Sequence, residues 1–171
     1  MRPYEKLRAF WISKGIDVPR GVDQSEIRFF EKTEGLSFND SDFKDYLCNL
    51  NGMRPIAGHD TDDELFSFFP MGRFKTARSN FIDLPQSKQF RSDDLVLDRF
   101  YIFADYCIAS WEYGINDAGN VRIFGVPEPG LVSWHVAESF AEFVDLYIAR
   151  SPRIYFTDLT SASEWNLIYH S

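Results

Sequence analysis

The sequence predicts an α+β protein in which N-terminal helices precede a central antiparallel sheet and a C-terminal helix packs on that sheet. Three observations lead to this prediction. Helical periodicity fills the first 50 residues, strand-like apolar runs dominate residues 65–124, and helical periodicity returns after residue 139. Strands grouped together along a chain pair as a meander, so the sheet is expected to be antiparallel. The chain of 171 residues has the size of one domain, and we expect a single domain over 1–171.

The N-terminal part of the chain predicts three helices, with expected bounds of 3–14, 24–34 and 40–49. Asp23 followed by Glu26 is typical of a capping box at the start of the second helix. Asn51-Gly52 is a strong stop after the third. The third helix carries apolar residues at positions i, i+3, i+4 and i+7, which predicts a face buried in the core: Phe43, Tyr46, Leu47 and Leu50.

Two short apolar runs follow the helical part of the chain. They cover residues 65–69 and 81–84, and each ends at a proline, so both are predicted to be strands. Residues 86–98 are polar and charged, which predicts a loop.

Residues 100–116 are the most strand-like part of the sequence. They are rich in Phe, Tyr, Ile and Trp, but the run is long for one strand, so we expect a bend near 105–110. Residues 117–120, Asp-Ala-Gly-Asn, predict a hairpin turn that leads into a partner strand at 121–124. The glycines and prolines of 125–130 then break the pattern.

The last strong helix begins at Ser139. Ser139 and Glu142 form the S-x-x-E pattern of a capping box, and Pro152 is expected to end the helix. The remaining tail is mixed, with a short strand expected at 154–156 and a short helix after it.

The charge of the chain is unevenly distributed. The formal net charge is −8; residues 1–58 carry nine basic and nine acidic side chains, and residues 59–171 carry nine basic and seventeen acidic ones. This balance argues against binding to nucleic acid or to an anionic membrane surface, and it suits a basic partner. Mild acidity also keeps many proteins dispersed in solution, so charge alone does not decide between the two interpretations.

The two cysteines, Cys48 and Cys107, lie among apolar neighbours and form no C-x-x-C pair. We expect both to be small, reduced core residues, which fits a cytoplasmic location. The N-terminal residues mix charged and apolar side chains and do not look like a signal peptide. No segment approaches the roughly 20 apolar residues needed to span a bilayer.

Three stretches, taken in order, resemble the SUKH superfamily. They are EIRFFEKTEGLSFNDSDFKDYLCNLNG at 26–52, FYIFADYCIASWEYGIN with GNVRIFG at 100–125, and SFAEFVDLYI at 139–148. The resemblance covers about residues 24–150. The superfamily includes a fungal cell-wall-synthesis regulator and many bacterial toxin-immunity proteins. The resemblance implies an α+β protein without known catalytic residues, often an immunity protein that binds and neutralises a cognate toxin.

Few residues suggest catalysis or metal binding. His59, Asp60, Asp62, Asp63 and Glu64 form a dense polar run, but it lacks the spacing of a calcium loop and is predicted to be a solvated acidic loop. No phosphate loop, nucleophile elbow or dinucleotide fingerprint occurs. We therefore expect no cofactor, no metal and no catalytic residue.

Two further groups of residues leave a chemical interpretation open. His135, Glu138 and Glu142 would share one side of a helix that began early, but a metal site there needs ligands from a second helix. Asp105 is the one charged residue in an apolar strand. It is either a catalytic carboxylate or the mark of a strand end, a bulge or an exposed edge.

The sequence thus predicts an immunity protein that binds a toxin domain, plausibly a basic nuclease. A regulatory adaptor that binds a cytoplasmic protein is the alternative, and an enzyme with an unrecognised site is a third. The expected partner-binding surface is acidic, with Trp111 or Tyr113 as an aromatic anchor on the face opposite Glu112. Its expected members are Asp60, Asp62, Asp63, Glu64, Asp93, Asp94, Trp111, Glu112, Tyr113 and Asp117.

Overall fold

The computed structural model describes residues 1–53, 61–82, 95–108, 110–125, 131–155 and 166–167. Its helices are α1 Pro3–Ser13, α2 Gln24–Glu34, α3 Ser41–Asn49, α4 Ala77–Phe81, α5 Leu95–Arg99, α6 Phe140–Ile148 and α7 Pro152–Tyr155. Its strands are β1 Phe66–Phe68, β2 Lys75–Thr76, β3 Tyr101–Tyr106, β4 Trp111–Ile115, β5 Val121–Gly125, β6 Val132–Ala137 and β7 Asn166–Leu167. The predicted α+β class is confirmed.

The strands form one antiparallel sheet in the order β1-β3-β4-β5-β6-β7, and β2 also pairs with β3. From β3 to β6 each strand pairs with the next one in the chain, as expected for a meander. The bend predicted within residues 100–116 is the turn between β3 and β4, which starts with Cys107 and Ile108 in left-handed backbone conformations. A register shift between Ile102 and Ala104 marks a bulge in β3.

One face of the sheet, here called the helical face, is covered by α1, α3 and α6. These helices also contact one another. The apolar stripe predicted for α3 is buried, which confirms its place in the core. Aromatic rings at centroid distances of 5.2 to 5.7 Å join each helix to a strand: Trp11 to Phe68, Phe43 to Phe103, and Phe143 to Tyr113.

The opposite face of the sheet carries a row of residues that are direct cross-strand partners. This row, here called the polar row, contains four polar residues and one phenylalanine, one from each of five adjacent strands: Ser67, Asp105, Glu112, Phe124 and Ser133. All five are buried. The short helix α4 lies against this face, because Phe81 packs on Phe124 and Asn80 bonds to Glu112.

Helix starts follow the local sequence closely. Asp23 and Glu26 form the expected reciprocal capping box on α2. At α6 the Ser139 hydroxyl accepts the backbone N–H of Glu142, as predicted, but the Glu142 carboxylate accepts from the N–H of Glu138 instead of Ser139. The start of α6 therefore has both bonds of a capping pattern, but the N–H that donates to Glu142 comes from the residue before Ser139.

Three predictions were wrong in the described part of the chain, and one strand was missed. Phe81 ends a helix, because the Thr76 hydroxyl caps α4 through the N–H of Ser79; residues 83–84 lie outside the described residues. The expected loop at 86–98 contains the start of α5. Strand β6 was not predicted. Residues 154–155 are helical and not a strand. They belong to α7, which begins at Pro152, a residue type that suits the first turn of a helix.

Candidate partner-binding surface

The expected acidic loop contributes less to the surface than its sequence suggests. Asp62 is only 7% exposed. One of its oxygens accepts the backbone N–H groups of Glu64 and Phe66 at 2.9 and 2.8 Å, and the other accepts the Tyr147 hydroxyl at 2.7 Å. Asp62 therefore holds the entry to β1 against α6 and is unavailable to a partner. Its assignment to the binding surface was wrong.

Asp63 and Glu64 lie nearer the surface but are neutralised within the chain. The Asp63 carboxylate accepts from Lys14 at 3.0 Å, and this bond lowers its pKa. Glu64 forms an ion pair of 2.7 Å with Arg150. A basic partner would have to compete with these cations, so both residues are weak candidates. Asp60, Asp93 and Asp94 lie outside the described residues.

Of the two residues predicted as an aromatic anchor, only one is accessible. Tyr113 is fully buried on the helical face, where its hydroxyl donates to the carbonyl of Ile154. Trp111 lies on the same face, as alternation predicts, but it is half-buried; its ring covers Gly125 and packs edge-on against Trp134 at 5.6 Å. Only Trp111 keeps an accessible part.

Glu112 is also inside the protein, with 6% exposure on the polar row. Its direct partner on β3 is Asp105, which is 8% exposed, and Asn80 donates a hydrogen bond to it. Burial and then the charge of Asp105 raise the pKa of Glu112 to about 7. Asp105 is therefore neither a strand end nor an exposed edge. The two carboxyl groups form a buried pair in which Glu112 has a pKa of about 7.

Asp117 is exposed, as predicted, and forms no ion pair within the described residues. It lies in the turn between β4 and β5, where Asn116 orders the backbone by accepting the N–H groups of Ala118 and Asn120. The carbonyl of Asp117 accepts the backbone N–H of Asn39 at 2.7 Å. This bond ties the turn to the segment that leads into α3.

Asp40 connects three elements at this end of the molecule. One carboxylate oxygen accepts the N–H groups of Asp42 and Phe43 in the first turn of α3, and the other accepts the N–H of Phe140 at the start of α6. A Cβ atom on Gly119 would lie 2.2 Å from this carboxylate, so the turn has glycine where Asp40 passes. The turn, α3 and α6 therefore meet around one side chain.

Around this junction lies a group of carboxylates that we call the hairpin-end acidic patch: Asp42, Asp117 and Glu138. Partial burial and the nearby charges of Asp40 and Asp45 raise the pKa of Asp42. Asp117 and Glu138 are exposed. Within the described ranges, no lysine or arginine forms an ion pair with any of the three. The Glu138 carboxylate lies 3.6 Å from His135 and accepts a hydrogen bond of 3.3 Å from the Asn120 amide. Hydrogen bonds to the backbone thus hold this end of the molecule together, and no lysine or arginine in the described part of the chain pairs with its three carboxylates.

Sequence reasoning found Asp117 but missed the rest of this patch. Asp40 and Ser139 were predicted to begin two helices, and helix starts favour acidic side chains. That signal indicates acidity at each helix start separately. It does not reveal that the two starts and the turn converge, because that depends on a pairing across about a hundred residues.

The other chemical candidates do not converge. Glu142 is not grouped with His135: it forms an ion pair with Arg153 at 3.2 Å. Among the described residues, no three histidine, cysteine or carboxylate side chains are placed to share a metal ion. Cys107, expected in the core, is exposed in the turn after β3, and Cys48 is half-buried; both are free.

Comparison with known proteins found no protein family that matches the chain and no curated protein with significant sequence similarity. The resemblance to the SUKH superfamily therefore stays a prediction from the motifs. Within the part of the chain that the structure describes, no helix is long and apolar enough to cross a bilayer.

Proposed function

We propose that this chain is an immunity protein that binds a basic toxin domain through the hairpin-end acidic patch and neutralises it. The motifs supply the expectation of an immunity protein, and the patch supplies the surface. The observation that carries the proposal is a contrast in ion pairing among carboxylates. Exposed Asp63 and Asp145 form ion pairs with lysines of the same chain, whereas exposed Asp117 and half-buried Asp42 form none within the described residues.

The patch has the stiffness that specific binding requires. Its turn is tied to the α3 entry by the bond between Asn39 and Asp117, and Asp40 joins the starts of α3 and α6. A surface that is already ordered loses little conformational entropy on binding, so more of the contact energy appears as affinity. A loop of solvated carboxylates would not have this advantage.

Charge at this position supports fast recognition of a cationic partner. Toxins that cut nucleic acids need a basic surface for the phosphate backbone, and unneutralised carboxylates complement that surface. Long-range attraction raises the association rate, and salt screens it over roughly 8–10 Å at physiological ionic strength. An inhibitor that must act before its toxin damages the cell benefits most from such steering.

The test uses the product of the gene that lies next to the gene for this chain. That product is expressed under a tight promoter, its effect on growth is measured, and this chain is then co-expressed. We expect growth inhibition that the wild-type chain relieves, and a complex whose association rate falls as salt concentration rises. The double variant Asp117→Lys with Glu138→Lys should associate at least roughly tenfold more slowly at low salt.

Glu34→Lys is the matched control, since Glu34 is exposed at the far end of α2 and its side chain has no ion pair among the described residues. It should leave association unchanged to within a small factor. A neighbouring product that binds the chain without harming growth would favour the alternative function, a regulatory adaptor. Association that ignores both salt and charge reversal at the patch would contradict the proposed surface.

A further inference from the structure

Helix α2 presents an unusual outer face. Only Ile27 among its eleven residues is buried. Phe29 is 72% exposed, more than any other aromatic side chain among the described residues. Exposed large rings of this kind are typical of contact surfaces. The ring-rich core does not need Phe29, because Phe30 beside it already packs on Phe38 and Tyr101.

An open groove of about 360 Å³ runs beside Phe29. Phe30 and Met71 form its apolar part, and the helix itself forms the rest; the lining residues are Ser25, Glu26, Phe29, Phe30, Thr33 and Met71. The groove is therefore large enough for an aromatic side chain and lies next to a side chain of that kind. Phe29 cannot fill this groove from its own helix, because it forms one of the walls.

The residues around Phe29 are arranged symmetrically along the helix. Glu26 and Lys32 lie three residues before and after it, and Ser25 and Thr33 lie four residues before and after it. Positions three and four apart share one face of a helix, so all four flank Phe29 on the same side. All are exposed, and Lys32 forms no ion pair within the described part of the chain.

This arrangement is complementary to itself when two copies of the helix meet antiparallel with Phe29 on the two-fold axis. Each Glu26 then lies at the level of a Lys32 of the second copy, diagonally across Phe29, and each Ser25 lies at the level of a Thr33. The small side chains let the helices approach, as two-fold interfaces that pair one surface with itself require. Each Phe29 ring reaches the groove beside Phe30 and Met71 of the other copy.

We propose that the outer face of α2 is a self-association surface, and that its occupant is a second copy of this chain. The surface shares no residue with the hairpin-end acidic patch and does not depend on the proposed toxin neutralisation. A contact made by one helix of eleven residues is smaller than the interfaces of stable dimers, which bury about 800 Å² on each partner. The dimer is therefore weak and reversible, forming at high micromolar concentration.

Sedimentation equilibrium of the full chain from about 5 to 500 µM tests the proposal directly. We expect a monomer–dimer equilibrium for the wild type. Phe29→Asp should weaken it by roughly tenfold or more, because a buried ring is replaced by a charge. Ile12→Asp is the control: Ile12 is 62% exposed on α1, and its replacement should leave the equilibrium unchanged. A wild type that stays monomeric throughout would overturn the proposal.

Charge exchange tests the antiparallel register. Glu26→Lys and Lys32→Glu each place like charges opposite each other in their own dimers, so each variant alone should dimerise several-fold more weakly than the wild type. An equimolar mixture of the two restores both opposite-charge pairs and should form a heterodimer. A mixture that associates no better than its components would overturn this register.

Glu26 also accepts the N–H of Asp23 in the capping box, so circular dichroism must show that Glu26→Lys remains folded. If it does not, Lys32→Glu alone still decides: its dimer should be weaker at low salt and recover at high salt, where screening removes the repulsion. Equal dissociation constants for this variant and the wild type at low salt would count against the pairing.

Discussion

The two faces of the sheet solve the problem of burial in different ways. On the helical face, rings from three helices fill the space against rings from the strands, and packing stabilises the fold through apolar area. On the opposite face, the polar row buries two directly opposed carboxyl groups, Asp105 and Glu112, under the short helix α4. The contribution of the helical face to stability depends on how well its side chains pack. The contribution of the opposite face depends on the protonation state of its carboxyl groups.

This difference shows that a hydrophobic pattern is a one-sided guide to a sheet. Residues 101–106 and 111–115 are so apolar that the charges within them look like exceptions at an edge. In the structure β3 and β4 lie in the interior of the sheet, with neighbours on both sides, and their acidic residues are buried with them. Substitutions on each face test whether the two contributions to stability differ in this way.

The largest effect is expected from Phe43→Ala on the helical face. Phe43 is fully buried, with ring contacts to Phe103 at 5.7 Å and Phe140 at 5.1 Å. Loss of a buried ring leaves a cavity and should lower the free energy of unfolding by about 3–5 kcal/mol. Urea denaturation followed by circular dichroism measures this. Phe29→Ala, an exposed ring, is the matched control and should cost little; equal effects would mean that the helical face is not the core.

The second effect is a pH dependence from the opposite face. The pKa of Glu112 is raised to about 7 in the folded protein from an ordinary value of 4.5. Between these values the folded state holds a proton that the unfolded state has released. Stability from this group is therefore complete below about pH 4.5 and falls as pH rises through 7, by roughly 3 kcal/mol in total.

Glu112→Gln tests this expectation, because the amide keeps an oxygen for the Asn80 bond and cannot ionise. The variant should lose this part of the pH dependence and be more stable than the wild type at pH 8. The measurement is the difference in unfolding free energy between variant and wild type from pH 5 to 8. Glu138→Gln, at an exposed site, is the control. A difference that stays constant across this range would disprove the role assigned to the buried pair.

Asn80→Ala is expected to give a smaller effect on the same face. The Asn80 amide donates to Glu112 and favours its charged form, so its loss raises the pKa of Glu112 further. Hydrogen bonds to charged groups contribute about 1.5–3 kcal/mol and those to neutral groups about half as much. The substitution should therefore cost more stability at pH 8 than at pH 5. Chemical denaturation at the two pH values checks this, and an equal cost at both would exclude the coupling.

The smallest effect is expected from Tyr113→Phe on the helical face. The hydroxyl donates to the carbonyl of Ile154, and burial keeps the pKa of Tyr113 well above its usual value, so the group stays neutral. Removing the hydrogen bond should cost about 1 kcal/mol and should be independent of pH from 5 to 8. The same denaturation series measures it. A pH-dependent cost would show that the faces are electrostatically coupled.

The helices that cover the sheet could be predicted from sequence because their signals are local. Helix α3 has its apolar stripe and its stop within residues 43–52, and the structure follows both. The hairpin between β4 and β5 is likewise predicted from consecutive residues, the turn sequence at 117–120. Where period, cap and stop agree over a short stretch, the sequence determines the element without help from the rest of the chain.

The rest of the fold depends on contacts that the local sequence does not contain. Strand β6 follows a run of prolines and glycines and is defined by its pairing with β5. The burial of Asp62 depends on Tyr147, 85 residues away, and that of Glu112 on its neighbours across the sheet. For the same reason the exposure expected of the binding surface is found at Asp117 but not at Asp62, Glu112 and Tyr113, which are buried.

The hydrogen bonds of Asp40 to the starts of both α3 and α6 have a consequence for folding while the chain is being synthesised. The start of α3 shares this carboxylate with α6, 100 residues later, and α1 also packs on α6. A ribosome adds about 5–20 residues each second, so the emerging helices wait roughly 5–20 s for the partner that completes their layer. During that interval the apolar stripe of α3 is uncovered. Nascent chains stalled before Phe140 should be cut by protease within α3, and chains released after Tyr155 should be protected.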